Sequence, residues 1–409
     1  MHTQAEEGVL PMTLQQRRTV LLYQLYMVVS EPLFWGPIVI YSLLTLAHMS
    51  LPEIFFMEAI VMMVLVLSNV PAGALADVIG KKRAVLIGRF LLLVSIICFA
   101  TMTSPLLAWI GNLAWAFGFA LTSGSESSLL FETLRNGSGT RRFKEVQGKA
   151  IGYRFLVMAL SCLLVGVLAA VHPRLPLYLS IPGQVLAFLL VIGMTEPGTT
   201  TTFSGKAQWR AMKDGLRFVR KTPVVLWMVL FAALVGVISK VWFFTYNPYF
   251  ELVGMPVSQY GFVFFLLNIV AWLSSHYAYK IETVMSEFGL VVFSIACLSV
   301  PILLMALFPV YWAAYLVLAQ NIVRGFIRPF TEDFVHHHIR DAEAEAARAT
   351  IMSVKSAVSQ FAMVCGLFGA SFALEYFPLI SVLLGLGVIA STLGVVAILS
   401  YKRVVRVTL

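Results

Sequence analysis

The chain has 409 residues, of which 59% are hydrophobic and 12% charged, and its mean hydropathy is +0.87. Soluble domains carry about twice that charge fraction, so the composition excludes a soluble globular protein and calls for apolar segments in contact with lipid. The net charge of +9 requires no nucleic-acid partner, because the basic residues gather in loops of the kind that orient a membrane protein.

A bilayer core takes about 20 apolar residues per helix. Twelve such segments follow one another at 19–46, 53–76, 84–102, 105–130, 149–171, 175–194, 224–248, 257–279, 284–307, 310–335, 349–373 and 377–401. The polar stretch MHTQAEEGVLPMTLQQRR leads straight into the first span and lacks the pattern of a cleavable signal peptide. The connecting loops alternate in charge. One set carries Arg17 and Arg18, GKKR at 80–83, RNGSGTRRFKEVQGK at 135–149, GKAQWRAMKDGLRFVRK at 205–221, Lys280, Arg340 and YKRVVR at 401–406. The other set is short and, Arg174 apart, nearly free of Lys and Arg. The positive-inside rule puts the basic set and both termini in the cytoplasm, as expected for a multi-pass protein of a bacterial inner membrane.

The expected organisation is a cytoplasmic N-terminus (1–18), a six-helix bundle (19–194), a cytoplasmic linker (195–222), a second six-helix bundle (223–401) and a cytoplasmic tail (402–409). The linker opens on the flexible composition TEPGTTTTFSG. It continues with Trp209, Met212, Leu216 and Val219 on one face of an amphipathic helix lying at the inner surface. The four cysteines, Cys98, Cys162, Cys297 and Cys365, fall inside apolar runs and read as small core residues.

The two halves echo one another. VVSE at 28–31 answers VISK at 237–240, and GF at 118–119 answers GF at 325–326. The latter offset sets Glu126 opposite Asp333, with Arg154 and Lys355 following near the starts of helices 5 and 11. Parallel six-helix repeats with a site between them are a transporter architecture.

PAGALADVIGKKRAVLIGR at 71–89 joins helices 2 and 3. Gly73 lets helices approach closely, Gly80 permits a tight turn, Lys81 and Lys82 reach the lipid headgroups, and Asp77 can pair with a cation or a helix N-terminus. With Leu75 and Ala76, these residues resemble the loop signature of the major facilitator superfamily, G-x-L-A-D-x-x-G-[RK]-[RK]. The resemblance extends over nearly the whole chain through its twelve spans and long middle loop. It implies an all-α membrane fold of two six-helix bundles around a central cavity lined by helices 1, 4, 7 and 10. It also implies that this loop steadies the outward-facing state and controls the switch. SGSESSLLFETL and RATIMSVKSAV look like stretches of a bacterial branch of poorly defined exporters and permeases. The sequence departs from the drug-antiporter branch: R-x-x-x-G-x-G is missing from helix 4 and G-P-x-x-G-G from helix 5. SSHYAYKIETVMSE replaces the glycine-rich loop in the second half.

A charge at membrane depth costs at least ~2.5 kcal/mol and is normally paired, wet or functional. Glu31, Lys240 and Arg324, with Arg328 one turn further in, are the candidates for cavity charges. Glu31 has three readings: a proton carrier, an ionised contact to the substrate, or one side of a bridge to Lys240 or Arg324. Pro32 and Pro37 loosen helix 1 there and free backbone carbonyls toward the cavity. Glu126 with Arg154, and Asp333 with Lys355, read as charge clusters of an inner gate near Asp77, or as static braces between neighbouring helices. HHHIR at 336–340 reads as a helix cap or pH-sensitive patch rather than a metal site. The aromatic run WFFTYNPYF at 242–250 anchors helix 7 at the interface, or forms a lid in which Trp242 and Tyr246 face Trp35, Phe34 and Tyr41 over a ring-bearing substrate.

No nucleotide-binding loop and no catalytic constellation is present in the sequence, which calls for neither an enzyme nor a cofactor. The reading that follows is a monomeric secondary transporter of a small organic molecule, driven by protons, with export favoured. Uptake of an organic anion or siderophore-like compound comes second. A receptor or assembly factor built on the same scaffold is the reading from another class.

Overall fold

A computed structural model describes residues 13–135, 139–196, 213, 215–338 and 342–404. The described residues are helical throughout, joined by turns and short connections. Among the described residues, ten helices are long and apolar enough to cross a membrane. Helices 2 to 6 are Leu51–Ile79, Lys81–Thr101, 105–135, Gly139–Val171 and Leu175–Gly193. Helix 7 covers 223–252, and helices 8, 9, 11 and 12 are Tyr260–His276, Glu287–Leu307, Ala342–Tyr376 and Leu379–Val404. The two remaining expected spans are interrupted. Helix 1 runs as Leu14–Val29, Gly36–Ile38 and Val39–Leu46, and helix 10 as Tyr311–Val317 and Leu318–His338. Helix 10 also carries Arg324, Arg328, Glu332 and Asp333 in one stretch.

Local chemistry sets the ends. Ser50 and Glu53 cap helix 2 reciprocally: the Glu53 amide donates to the Ser50 hydroxyl, and the Ser50 amide donates to the Glu53 carboxylate at 2.7 Å. Pro105 and Pro223 begin helices 4 and 7, where no amide donor is needed. Gly80 separates helices 2 and 3 at φ +97° and ψ 148°, a region that side chains exclude. Helix 1 breaks over 30–35, at the Glu31–Pro32 step, as the prolines led us to expect. Residues 215–221 are helical, and Val219 is buried in the core of the second half. Trp209 and Met212, on the same expected face, lie outside the described residues.

The loops rich in Lys and Arg define one end of the molecule as the basic end; the other is the short-loop end. The halves meet toward the short-loop end. Asn247 of helix 7 accepts from the Tyr41 amide at 3.2 Å and donates to the Pro37 carbonyl at 3.0 Å. Ser371 of helix 11 donates to the Pro52 carbonyl at 2.8 Å. Lys240 pairs with Glu58 at 3.0 Å, and Phe55 meets Phe244 edge-on. Helices 5 and 8 pack backbone to backbone there. A Cβ at Gly261 would sit 2.0 Å from the Cys162 carbonyl oxygen, and one at Gly166 would sit 2.2 Å from that of Ser258. Only glycine allows this approach.

Gly261→Ala must therefore part the two halves at the short-loop end. In a background otherwise free of cysteine, Val165→Cys, which lies fully buried in that seam, should react slowly with a membrane-impermeant maleimide. Adding Gly261→Ala should accelerate the labelling several-fold; equal rates would mean that the seam is loose already.

Candidate functional site

The first half holds its charges around the break in helix 1. Arg89, in helix 3, is 4% exposed. Its Nε donates to the Tyr26 hydroxyl at 2.5 Å, its Nη2 donates to Glu126 at 2.6 Å, and its Nη1 donates to the Ser30 carbonyl. Tyr26 donates in turn to the same Glu126 oxygen at 2.5 Å, and the guanidinium lies over the Tyr26 ring at 4.7 Å. Broken helix 1 leaves carbonyls without intrahelical donors, and in an apolar surrounding each needs another partner. Arg89 supplies one donor to Ser30. Gln184 supplies more, to Val29 and Ser30 at 3.2 Å each, while Ser180 accepts from the Phe34 amide at 3.2 Å. The break is thereby fixed, and Glu31 is held within a cavity of about 220 Å³ lined by Arg89, Trp115, Glu126 and Arg154. Arg154 faces Glu31 at 3.4 Å, a looser pair than Arg89–Glu126.

The second half has a larger cleft, about 470 Å³, between helices 7, 10 and 11. Lys240, Phe243, Gln320, Arg324, Arg328 and Lys355 contribute to its wall. Lys355 donates to Thr331 at 2.8 Å, Arg324 reaches Asn321 at 3.5 Å, and Arg328 pairs with Glu332 at 2.9 Å.

These positions redistribute the pairs anticipated from sequence. Glu31 meets Arg154 rather than Lys240 or Arg324. Glu126 meets Arg89 rather than Arg154. Lys240 spans the halves to Glu58. Asp333 is exposed. It lies nine residues beyond Arg324, half a turn around helix 10, and so faces away from the cleft wall; Lys355 is on that wall. Asp77 pairs with Lys81 on its own side of the loop. Lys82 is clasped by the end of helix 6: its amide donates to Glu196 at 3.2 Å and its Nζ to the Ile192 carbonyl at 2.8 Å. A Cβ at Gly73 would meet open space.

The aromatic run forms neither an interfacial anchor nor an accessible lid in this arrangement. Trp242 and Tyr246 are 0% and 1% exposed, in the core of the second half, and Tyr246 bonds Gln320. Trp35 packs on Phe99 at 4.8 Å, and Tyr41 meets Tyr260 edge-on across the halves. Phe243 is the ring of that run that reaches the cleft. The side chains of HHHIR lie outside the described residues.

Two buried partners escaped the sequence reading, Arg89 and Glu58. An arginine well inside an apolar span was the available signal for the first, and a second carboxylate five residues after the helix-capping Glu53 for the other.

Two helical halves thus lie closed against each other at the short-loop end, each carrying a charged cavity. No family model and no curated protein matches the sequence, but solved structures match its fold. The crystal structure of the nucleoside transporter NupG superposes with a TM-score of 0.75 at 14% identity, over 96% of this chain and 99% of that one. A bacterial homologue of the human lysosomal transporter Spinster, inward-facing and occupied, gives 0.66 at 14% identity, over 96% of each chain. A POT family transporter in complex with a thioalcohol-conjugated peptide gives 0.69 at 12% identity, over 95% of this chain and 96% of that one. The chain thus shares the all-helical fold of these transporters.

Arg89→Leu leaves Glu126 without its cation, held by Tyr26 alone, and the Ser30 carbonyl with Gln184 alone, and removal of one partner of a buried pair costs about 3–5 kcal/mol. Thermal unfolding in detergent should report that loss, and the double change Arg89→Leu with Glu126→Leu should recover most of it. Equal losses in the single and double variants would mean that the pair contributes little beyond packing.

Proposed function

We propose that the chain is a secondary active transporter that moves a small organic molecule by alternating access, coupled to protons and favouring export. In this reading it is a monomer of a bacterial inner membrane, with the basic end and both termini in the cytoplasm and the described arrangement inward-facing. The observation that carries the reading is the seam: polar and glycine contacts join the halves at the short-loop end, while each half keeps a charged cavity of its own. A solute bound between the halves reaches the far side only when such a seam opens and the basic end closes, which is alternating access.

Glu31 is the proton carrier in this scheme. It sits where helix 1 is unwound, lines the cavity and meets Arg154 through one loose contact. Protonation releases Arg154, and ionisation recovers it, so the proton and the guanidinium exchange places at one carboxylate. Lys240–Glu58 holds the seam at the short-loop end. The Asp77 loop, now engaged with Lys81 and helix 6, forms the clasp of the opposite state together with the inner ends of helices 4, 5, 10 and 11.

Oriented inner-membrane vesicles loaded with a pooled metabolite library under a pH gradient, read by mass spectrometry, test this. The normal chain should concentrate at least one solute against its gradient. Glu31→Gln should lose gradient-driven accumulation yet retain counterflow of the same solute. Full accumulation by Glu31→Gln would remove Glu31 from the coupling step.

A further inference from the structure

The halves differ in how their charges are balanced. In the first, two arginines and two carboxylates neutralise one another within a single cavity, Arg89 with Glu126 and Arg154 with Glu31. The cleft of the second half has four cations on its wall, Lys240, Arg324, Arg328 and Lys355. Two carboxylates answer them: Glu58 takes Lys240, and Glu332 takes Arg328. Among the described residues, Arg324 and Lys355 form no ion pair and their hydrogen-bond partners are the neutral Asn321 and Thr331; Glu332, already bonded to Arg328, acts on Lys355 only through space.

Unmatched cations at membrane depth are unfavourable unless wetted or paired with an anion, and the rest of this wall carries no charge: Val235, Phe243, Ile327 and Met363 form its apolar part, beside the neutral Ser239, Gln320, Thr331 and Ser359. The spacing is specific as well. Arg324, Ile327, Arg328 and Thr331 recur on one face of helix 10, and Lys355, Ser359 and Met363 on one face of helix 11, so Arg324 and Lys355 look into the same space. A guanidinium fork takes a carboxylate through two parallel hydrogen bonds, and an ammonium adds a point charge beside it. The apolar wall and the Phe243 ring then face the remainder of the molecule.

We infer that the cleft between helices 7, 10 and 11 is an organic-anion site: Arg324 and Lys355 bind the carboxylate of the transported solute, and its apolar body lies along Val235, Phe243, Ile327 and Met363. The inference rests on the transport reading above and names the substrate class. It also gives the halves separate tasks. The self-neutralised first half handles the proton, and the cationic second half handles the solute.

The test uses the full chain in detergent and three matched probes: 4-phenylbutyrate, its neutral amide, and the corresponding phenylbutylammonium. Binding is read by calorimetry and by thermal shift. The carboxylate should bind and stabilise the chain, whereas the amide and the ammonium should not. Arg324→Gln and Lys355→Gln should each weaken carboxylate binding by about 10- to 100-fold, the loss expected for one charged hydrogen-bond partner. Arg324→Lys, which keeps the charge but loses the fork, should fall in between. Equal binding of all three probes, no carboxylate binding at millimolar concentration, or full binding by Arg324→Gln overturns the assignment. Counterflow separates this failure from failure of the transport reading. Exchange confined to neutral or cationic solutes would sink the anion site and leave transport standing. Arg324-dependent binding without any exchange would leave the site and remove transport.

Discussion

One buried guanidinium organises the first half. Helix 1 cannot continue through Pro32, and its freed carbonyls lie where neither lipid nor a neighbouring turn can satisfy them. Arg89 donates into that break while neutralising Glu126, and Tyr26 completes the triangle. Three segments are thereby locked by one side chain with its donors in a rigid fork, a task that lysine's point charge does not perform. With the break fixed, Glu31 projects into a cavity rather than lipid. Arg154 becomes its neighbour because helix 5 passes on the open side.

The second half solves a different problem. Its core is aromatic: Trp242, Tyr246, Tyr249 and Phe250 are buried together, so the short-loop end of helix 7 is a rigid block. That block supplies Asn247 and, a few residues earlier, Lys240, the groups that hold helices 1 and 2. Glycines at the helix 5–helix 8 crossing let the backbones touch. Closure therefore combines an apolar face, in which Val241, Phe244, Val364, Leu367 and Ala370 of helices 7 and 11 join the core of helices 1 and 2, with directional contacts and the Lys240–Glu58 pair.

Much of this was legible in the sequence. Twelve apolar runs, the alternating loop charges and the loop with Gly73, Asp77 and Gly80 convey the fold, because each is a local property of the chain. The Glu31–Pro32 step conveys the break for the same reason. Pairing was not legible. Arg89 and Glu126 come from different helices, and Glu58 and Lys240 are 182 positions apart, so packing alone decides who meets whom. The internal repeat misled at the level of side chains. It set Asp333 against Glu126, yet helix 9 offers no arginine to match Arg89, and Asp333 turns outward. The aromatic run misled through composition: rings at a span end suit an interface and a core equally well, and here they fill the core.

The central claim is that the two halves rock about the solute, so that one end opens as the other closes. Paired spin labels at the two ends of helices 5 and 8 test it in the full chain in nanodiscs, one pair at His172 and Gln259 and the other at Lys149 and Tyr277. On lowering the pH or adding the carboxylate probe, the account predicts opposed changes, the first distance lengthening as the second shortens. Two distances that stay fixed, or that lengthen together, would contradict it.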